Sequence, residues 1–360
     1  MLDVVVVVPT FNEKPNVGTL IDRLEQVLAG LSWEVVFVDD DSPDGTADAL
    51  RALAQHKPHV RCLQRLGRRG LSRAVVEGIL STSAPVVAIM DADLQHDEGV
   101  LPSMLKKLDD EHLDVVVASR YAVGGSVGDW SPERARLSRL ATKLARTTVG
   151  TGLADPMSGY FVIRRAAFEA AMRRLSGEGY KILLDMLASS PQKLRLGELP
   201  YTFRPRAAGE SKLDSAVLWE FVMLLLDKRV GRWIPARFVL FSLVGASGVF
   251  VHFAVLWLLF RVLGAGFGLS QAVATLVAMT SNYALNNALT YRDRRHRGLS
   301  WVGGLLTFYA ICGLGVVANV GVASALFQRQ QDWVVAAAAG ALLGTIWNYV
   351  ASAAVTWRRR

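Results

Sequence analysis

Asp91-Ala92-Asp93-Leu94-Gln95-His96 is the segment of this sequence with the most definite chemistry. It follows the apolar run Val86 to Met90, so where the chain leaves that run the Asp91 and Asp93 carboxylates and the Gln95 carbonyl can converge on one hard cation. Oxygen-only ligands suit Mg²⁺ or Mn²⁺, which keep a partly hydrated shell and share it with a diphosphate. A cation held there neutralises charge building on a diphosphate leaving group. Paired aspartates also cap helices and sit in turns, so the motif takes its meaning from context. A second acidic run, Asp39-Asp40-Asp41, continues into Ser42-Pro43-Asp44-Gly45-Thr46. Three adjacent carboxylates repel one another and call for partners such as ribose hydroxyls, a base edge or metal-bound groups, while Ser42 to Gly45 alone reads as a turn with Asp44 or Thr46 as a helix cap. On the basic side, Ser119-Arg120-Tyr121 is followed by Arg134 and Ser138, spaced to share one helix face. Guanidinium forks suit phosphate oxygens, although Arg134, Arg136, Arg139 and Lys143 read equally well as the solvated face of a basic helix.

The elements that must position these residues alternate. Val4 to Val8, Glu34 to Val38, Val60 to Leu63, Val86 to Met90 and Val115 to Ala118 read as strands. Val17 to Leu28, Ala47 to Ala54, Leu71 to Ser81 and Val100 to Leu108 have helical spacing. Such alternation builds a mainly parallel, Rossmann-like sheet with helices on both faces, and ligands collect beyond the carboxyl ends of its strands. The polar loops Pro9-Thr10-Phe11-Asn12-Glu13, Asp39 to Thr46 and Asp91 to His96 fall at those ends, which makes one site of them.

Composition changes near Ile234. Before it no uncharged apolar run approaches the roughly 20 residues that cross a bilayer as a helix. After it come four long uncharged stretches, Phe238 to Phe260, Val262 to Tyr291, Leu299 to Phe327 and Trp333 to Trp357, which are expected to span. Arginines precede the first stretch (Arg229, Arg232, Arg237), separate the second from the third (Arg292, Arg294, Arg295, Arg297) and end the chain (Arg358, Arg359, Arg360), whereas the other two loops carry Arg261 alone and Arg329 beside Asp332. Retention of basic residues on the cytoplasmic side then gives both ends, and the N-terminal domain, a cytoplasmic location. The opening Met1-Leu2-Asp3-Val4-Val5 reads as a buried strand rather than a secretory leader. The net charge of +8 is explained by juxtamembrane arginines facing anionic lipid heads, so nucleic acid is not an expected partner. Cys62 and Cys312 fall on opposite sides of the boundary without metal-ligand spacing and are expected to be free.

In combination, Pro9 to Glu13, Asp39 to Thr46, Asp91 to His96 and Asp155-Pro156-Met157-Ser158-Gly159 resemble the motifs of family 2 glycosyltransferases of the dolichol-phosphate mannose synthase type, over roughly residues 2 to 215. The resemblance implies a GT-A catalytic domain over residues 1–212, a nucleotide-sugar donor (GDP-mannose first), a divalent metal and a polyprenyl or dolichyl phosphate acceptor in a lipid bilayer. By position, Pro9, Phe11, Glu13, Val38, Asp40, Arg68, Asp91 and Ala92 would hold the donor nucleotide, and Asp91, Asp93 and Gln95 the metal. Phe11 stands where the family often has Tyr. Arg120, Arg134 and Ser138 would grip the acceptor phosphate and Asp155 would order that pocket. Arg206 and Lys212, in a Gly- and Ala-containing basic loop, would close on the donor diphosphate. Leu213 to Arg232 is expected either to lie in the membrane interface or to form a short core helix, and residues 213–233 to link the two domains. Residues 234–360 resemble the GtrA-like four-helix membrane domain, whose amides Asn282, Asn286, Asn287 and Asn348 would act as packing glue between helices.

A lipid phosphate is already anionic near neutral pH, so its oxygen can attack the sugar C1 without a general base. The expected reaction is a single displacement with inversion, in which Asp93, Arg120, Arg206, Lys212 and Asp155 carry the catalytic work. Transfer from UDP-glucose or a UDP-linked amino sugar, a processive polysaccharide synthase (Arg229-Val230-Gly231-Arg232-Trp233 lacks the leading Gln of that motif), and movement of lipid-linked sugar by the membrane domain are the alternatives.

Overall fold

The computed structural model describes residues 2–128, 130–176, 179–205, 215–230, 234–328 and 333–358. Contacts divide the chain into two units, Met1–Arg229 and Val230–Arg360.

In the first unit the strands are β1 (Val4–Thr10), β2 (Trp33–Asp39), β3 (Val60–Gln64), β4 (Val86–Ile89), β5 (Val115–Ser119), β6 (Phe161–Arg164) and β7 (Leu196–Pro200). Its helices are α1 (Lys14–Val27), α2 (Thr46–Ala54), α3 (Leu71–Leu80), α4 (Leu101–Asp110), α5 (Pro132–Val149), α6 (Arg165–Met172), α7 (Ile182–Ser189) and α8 (Ser215–Val230). All five expected strands and all four expected helices form; β6 and β7 are additions. The sheet order is β3-β2-β1-β4-β6-β5-β7, with β6 antiparallel to both neighbours and every other pairing parallel. The valine run of β1 is buried throughout because both faces are covered. Val4, Val6 and Val8 point to the layer holding α1 and α4, and Val5 and Val7 to the layer holding α3 and α7.

The reversal of β6 positions the site. Because it runs against β4 and β5, the residues just before it, Asp155 to Gly159, lie at the edge where Asp91 leaves β4 and Arg120 leaves β5. Four sequence-distant segments thereby share one end of the sheet. Helix α8 seats Phe221 and Leu224 on Ala145 of α5 and Leu184 of α7, and the Lys228 ammonium lies 2.6 Å from the buried Asp185 carboxylate.

The second unit contains α9 (Ala236–Trp257), α10 (Phe267–Leu285), α11 (Leu299–Gln328) and α12 (Trp333–Ala351), packed as α9 on α10 and α11 on α12. Among the described residues, Ala236–Val262 and Leu299–Leu326 are long and apolar enough to cross a bilayer, with mean hydropathies of 2.2 and 1.9. Large apolar side chains such as Phe250, Phe253, Trp257, Leu306 and Val317 face outward, which in water would be an aggregation hazard and in lipid is the required surface. Both hairpins end alike: α10 runs into π-helical Asn286–Thr290 and then Tyr291, α12 into π-helical Ser352–Thr356 and then Trp357. The Tyr291 and Trp357 rings stack at 4.2 Å and 6°. Asn287 Oδ1 accepts from the Trp357 indole N–H (3.2 Å) and the His296 amide (2.8 Å), the bridging use of a buried amide expected between helices.

Candidate active site

At the ends of β1 and β2 the three aspartates find partners within the protein, so their mutual repulsion is relieved without a ligand. Asp39 accepts from the Ser42 amide (3.0 Å) and hydroxyl (2.5 Å), and Asp41 from Gln64 Nε2 and the Gly67 amide (3.2 Å each). Asp40 accepts from Arg65 Nη1 (2.5 Å) and the Gly70 amide (2.7 Å), with Arg65 wholly buried. Their combined effect is to fold residues 64–70 over the edge of the sheet. Of the two arginines that follow Gly67, Arg68 turns to Glu77 (3.1 Å), whereas Arg69 stacks 4.3 Å over the Phe11 ring. The Glu13 amide donates to Thr46 Oγ1 (3.1 Å), which ties the Pro9 to Glu13 loop to the start of α2. Val38 and Ala92 are buried in the core, so a ligand at this edge meets their backbone rather than their side chains. Asp44 is no helix cap in the strict sense, since Gly45 occupies that position. Its carboxyl is nonetheless held low: burial opposes this, but bonds from the Thr46 hydroxyl and the Thr46 and Lys14 amides outweigh it.

The Asp91 loop is rigidly organised. Asp93 Oδ1 accepts from the Gln95 amide (3.1 Å), and Gln95 Nε2 donates to the Arg204 carbonyl (3.0 Å), which holds the side-chain amide by its nitrogen and leaves the carbonyl end as the one with ligand chemistry. His96 links Tyr201 Oη to Nδ1 (3.0 Å) and Nε2 to Asp91 Oδ2 (3.2 Å). The Asp91 carboxylate can only accept, so Nε2–H donates to it, and in the neutral ring Nδ1 then accepts from the Tyr201 O–H, which burial keeps protonated. Gly159 leaves the room Asp91 needs, since a Cβ there would lie 3.1 Å from Oδ2. The described residues contain no group of three or more His, Cys, Asp or Glu side chains gathered for a metal. Two carboxylates and an amide instead make an incomplete set of hard oxygens, which suits a cation sharing its shell with a diphosphate and not a closed structural site.

Across the same edge, Asp155 is completely buried and takes Arg120 in a fork, Nε at 2.7 Å and Nη2 at 3.0 Å. Glu198 holds the Ala154 and Asp155 amides at 2.8 and 3.0 Å, so the loop carrying Asp155 is itself fixed. Burial works against the Arg120 charge, but Asp155 outweighs it and the guanidinium is held more firmly protonated than usual. Ser131 caps α5 by accepting from the Arg134 amide (3.3 Å), with Pro132 in the first turn. On that helix Arg134 and Ser138 are partly buried while Arg136, Arg139 and Lys143 are exposed, so the two readings of the basic helix belong to its two faces. Ser138 Oγ accepts from Tyr121 Oη (2.7 Å). Trp130 lies beneath both guanidiniums, 4.2 Å from Arg134 and 5.5 Å from Arg120, and packs edge-on to Phe203.

The structure thus brings together Asp91, Asp93 and Gln95 in one loop and Arg120, Asp155, Arg134 and Ser138 around another. Arg206 and Lys212 lie outside the described residues; the chain leading to them is pinned by Arg204 to Asp97 (2.7 Å) and Glu98 (2.8 Å). Sequence reasoning missed Trp130, the His96–Tyr201 relay and Lys181. The Lys181 ammonium donates to the Met157 carbonyl (3.4 Å) within the fields of Arg120, Asp155 and Asp91. Burial first and Arg120 second lower its pKa to about 8. A lysine two residues after a glycine, at the mouth of a short helix, offered no signal in sequence.

Residues 5–171 match glycosyl transferase family 2 and residues 240–357 the GtrA/DPMS transmembrane domain. The chain is 34% identical over 360 residues to a dolichol-phosphate mannosyltransferase of Pyrococcus furiosus, covering 99% of each. It is 35% identical over 248 residues to that of Saccharomyces cerevisiae, covering 66% of this chain and 90% of the relative. Glucosyl-3-phosphoglycerate synthase of Mycobacterium tuberculosis superposes at a TM-score of 0.49 with 20% identity, over 63% of this chain and 79% of that one. With a relative matched end to end and both domains accounted for, the chain belongs to the dolichol-phosphate mannosyltransferase family, a membrane-bound branch of family 2 glycosyltransferases.

Proposed function

We infer that this enzyme transfers mannose from GDP-mannose to a polyprenyl, dolichyl-type phosphate with inversion at C1, on the cytoplasmic face of a membrane crossed by four helices. The observation that carries the reading is the meeting, at one sheet edge, of an oxygen-donor loop and a forked, aromatic-backed arginine pair. A nucleoside diphosphate needs the first and a phosphate monoester the second.

The acceptor phosphate is the nucleophile. One of its oxygens forms the bond to C1 as the bond from C1 to the diphosphate oxygen breaks, and the nucleotide diphosphate leaves with the electron pair. No proton need be removed, so the protein's task is positioning and charge complementarity. Arg120 spends two of its five N–H donors on Asp155, which leaves the remaining donors aimed by that fork. Arg134, held flat on Trp130, supplies a second guanidinium, and Ser138 a hydroxyl. Asp91, Asp93 and Gln95 would hold a divalent cation, Mg²⁺ or Mn²⁺, which when bound neutralises the departing diphosphate. His96 keeps Asp91 oriented for that role. Phe11 and Arg69 form a stacked pair where a base can extend the stack, with Pro9 and Glu13 beside it. Asp40 acts by holding Arg65 and the loop around it. Lys181 supplies a third cation between the donor and acceptor sides, and Arg206 and Lys212 are assigned to the diphosphate.

The stereochemistry of the product tests the single displacement. A β-linked mannosyl phosphate formed from the α-linked donor, read by the C1–H1 coupling constant, supports it; an α-linked product contradicts it.

A further inference from the structure

The membrane unit contains a cavity of about 620 Å³ with a mixed polar and apolar lining, a volume in the range of ligand sites. Arg294, His296, Ser300, Thr307, Thr356 and Arg358 line it, together with Gly303 and Gly304. It lies in a unit whose two hairpins repeat a pattern. Asn282-Tyr283 and Thr290-Tyr291-Arg292 of the first hairpin recur at the same spacing as Asn348-Tyr349 and Thr356-Trp357-Arg358 of the second. The packing repeats too: Asn282 lies against Gly248 of α9, and Asn348 against Gly315 of α11, each so closely that a Cβ on the glycine would overlap the amide.

Aligned on these glycines, Gly304 of α11 corresponds to Arg237 of α9. In the first hairpin that place is filled, because Arg237 reaches Asp293 at 3.0 Å. In the second, Gly304 gives that room to other side chains, since a Cβ there would overlap His296 Nδ1 and Tyr283 Oη. The two halves therefore share a frame but differ at one position, and the difference makes room for His296, which lines the cavity.

The lining selects the ligand. Asp293 also borders the cavity, but its charge is met by Arg237 and by Arg294 (3.4 Å), so the guanidinium of Arg358 gives the lining a net positive balance, while the Ser300 and Thr307 hydroxyls donate to the Arg297 and Gly304 carbonyls (2.7 and 2.8 Å). The first turn of α11, the positive end of a 30-residue helix, opens at the same place, although its Trp301 amide is already given to the Gly298 carbonyl (3.0 Å). Leu299, Val302, Leu306 and Val355 are exposed around it and offer an apolar track beside a cationic pocket. We propose that this cavity binds the phosphate head of an anionic lipid, with the acyl or prenyl chain lying along that track. Binding there does not depend on the transfer reaction.

Native mass spectrometry of the full chain in detergent tests this, with phosphatidylglycerol, phosphatidylcholine, polyprenyl phosphate and inorganic phosphate as probes. The wild type is expected to retain phosphatidylglycerol about tenfold better than phosphatidylcholine, and Arg358→Gln to lose most of that preference. Ser300→Asp, which places a negative charge at the mouth, is expected to lose it as well. Arg358 is exposed, so an unchanged melting temperature without added lipid shows that its variant is folded. Displacement of phosphatidylglycerol by polyprenyl phosphate but not by inorganic phosphate would identify the lipid-borne monophosphate as the better occupant; displacement by neither leaves the bilayer phosphodiester. Equal retention of the two phospholipids, or equal retention of phosphatidylglycerol by wild type and both variants, overturns the proposal.

Discussion

Replacing Asp155 by asparagine removes one charge and almost no volume, and its consequences can be worked through. Asp155 is fully buried, and Arg120, itself 10% exposed, depends on it for two side-chain bonds at 2.7 and 3.0 Å and for the anchor of its backbone amide at 3.3 Å. An asparagine can accept at one oxygen but presents an N–H₂ to the other guanidinium nitrogen, turning an attraction into a clash of donors. Breaking one partner of a buried ion pair costs about 3–5 kcal/mol, because the remaining charge is left uncompensated. The guanidinium can recover part of this by swinging toward solvent, and that movement is what misaims the nucleophile. If only about 2.7 kcal/mol is lost from the transition state, kcat/KM for the acceptor falls about a hundredfold. The assay is transfer of labelled sugar into organic-extractable lipid at varied acceptor concentration, with nucleotide affinity measured separately by calorimetry. Acceptor kcat/KM is expected to fall by two orders of magnitude while nucleotide affinity stays within threefold. A variant with full acceptor kcat/KM would refute the role given to the fork, and one that lost nucleotide and acceptor binding alike would show that Asp155 supports the whole edge.

Trp130→Ala removes the platform under Arg134, a contact worth about 0.5–2 kcal/mol, so acceptor KM is expected to rise about twofold to thirtyfold with donor KM unchanged. Asp93→Ala is expected to abolish transfer, and in the wild type EDTA should do the same reversibly, with Mn²⁺ or Mg²⁺ restoring the wild type and not the variant; transfer that survives EDTA would contradict the oxygen-donor assignment. Lys181 is charged below its lowered pKa of about 8 and neutral above it, so kcat/KM for the donor is expected to decline as pH rises through 8. Lys181→Arg should flatten that alkaline limb, and an unchanged limb in the variant would remove Lys181 from the site. His96→Phe keeps the ring packing but drops the bond to Asp91, and is expected to weaken metal activation by about tenfold, read as the Mn²⁺ concentration for half-maximal rate.

The parts legible in sequence were those written in local chemistry. Runs such as Val4 to Val8 and Val115 to Ala118 are β-branched, short and bounded by polar loops, so their burial and their carboxyl ends could be read directly. The segment Phe161 to Arg164 escaped notice because it has only four residues and passes straight into α6. Its antiparallel direction, which brings Asp155 to Arg120, is a property of topology that composition does not carry. The same limit applies within Arg65-Leu66-Gly67-Arg68-Arg69: the run reads as one basic loop, yet Arg65 is buried on Asp40, Arg68 faces Glu77 and Arg69 stacks on Phe11. Likewise the acidic run suggested a ligand through its own repulsion, and the relief comes from Ser42, Arg65 and Gln64. The repeat in the membrane domain, with Asn282-Tyr283 and Asn348-Tyr349 at equal distances from Tyr291 and Trp357, stood in the sequence but went unread until the packing paired the two hairpins. What sequence could not supply was the exchange of Arg237 for Gly304 at one matched place in the packing.

The most direct measurement is the incorporation of radiolabelled sugar into organic-extractable lipid by membranes containing the full chain and polyprenyl phosphate, with GDP-mannose and UDP-glucose offered in parallel. Metal-dependent labelling from GDP-mannose that is lost in Arg134→Ala is the expected result. Labelling from UDP-glucose alone would contradict the assigned donor, and labelling from GDP-mannose that persists in Arg134→Ala would contradict the assigned acceptor site.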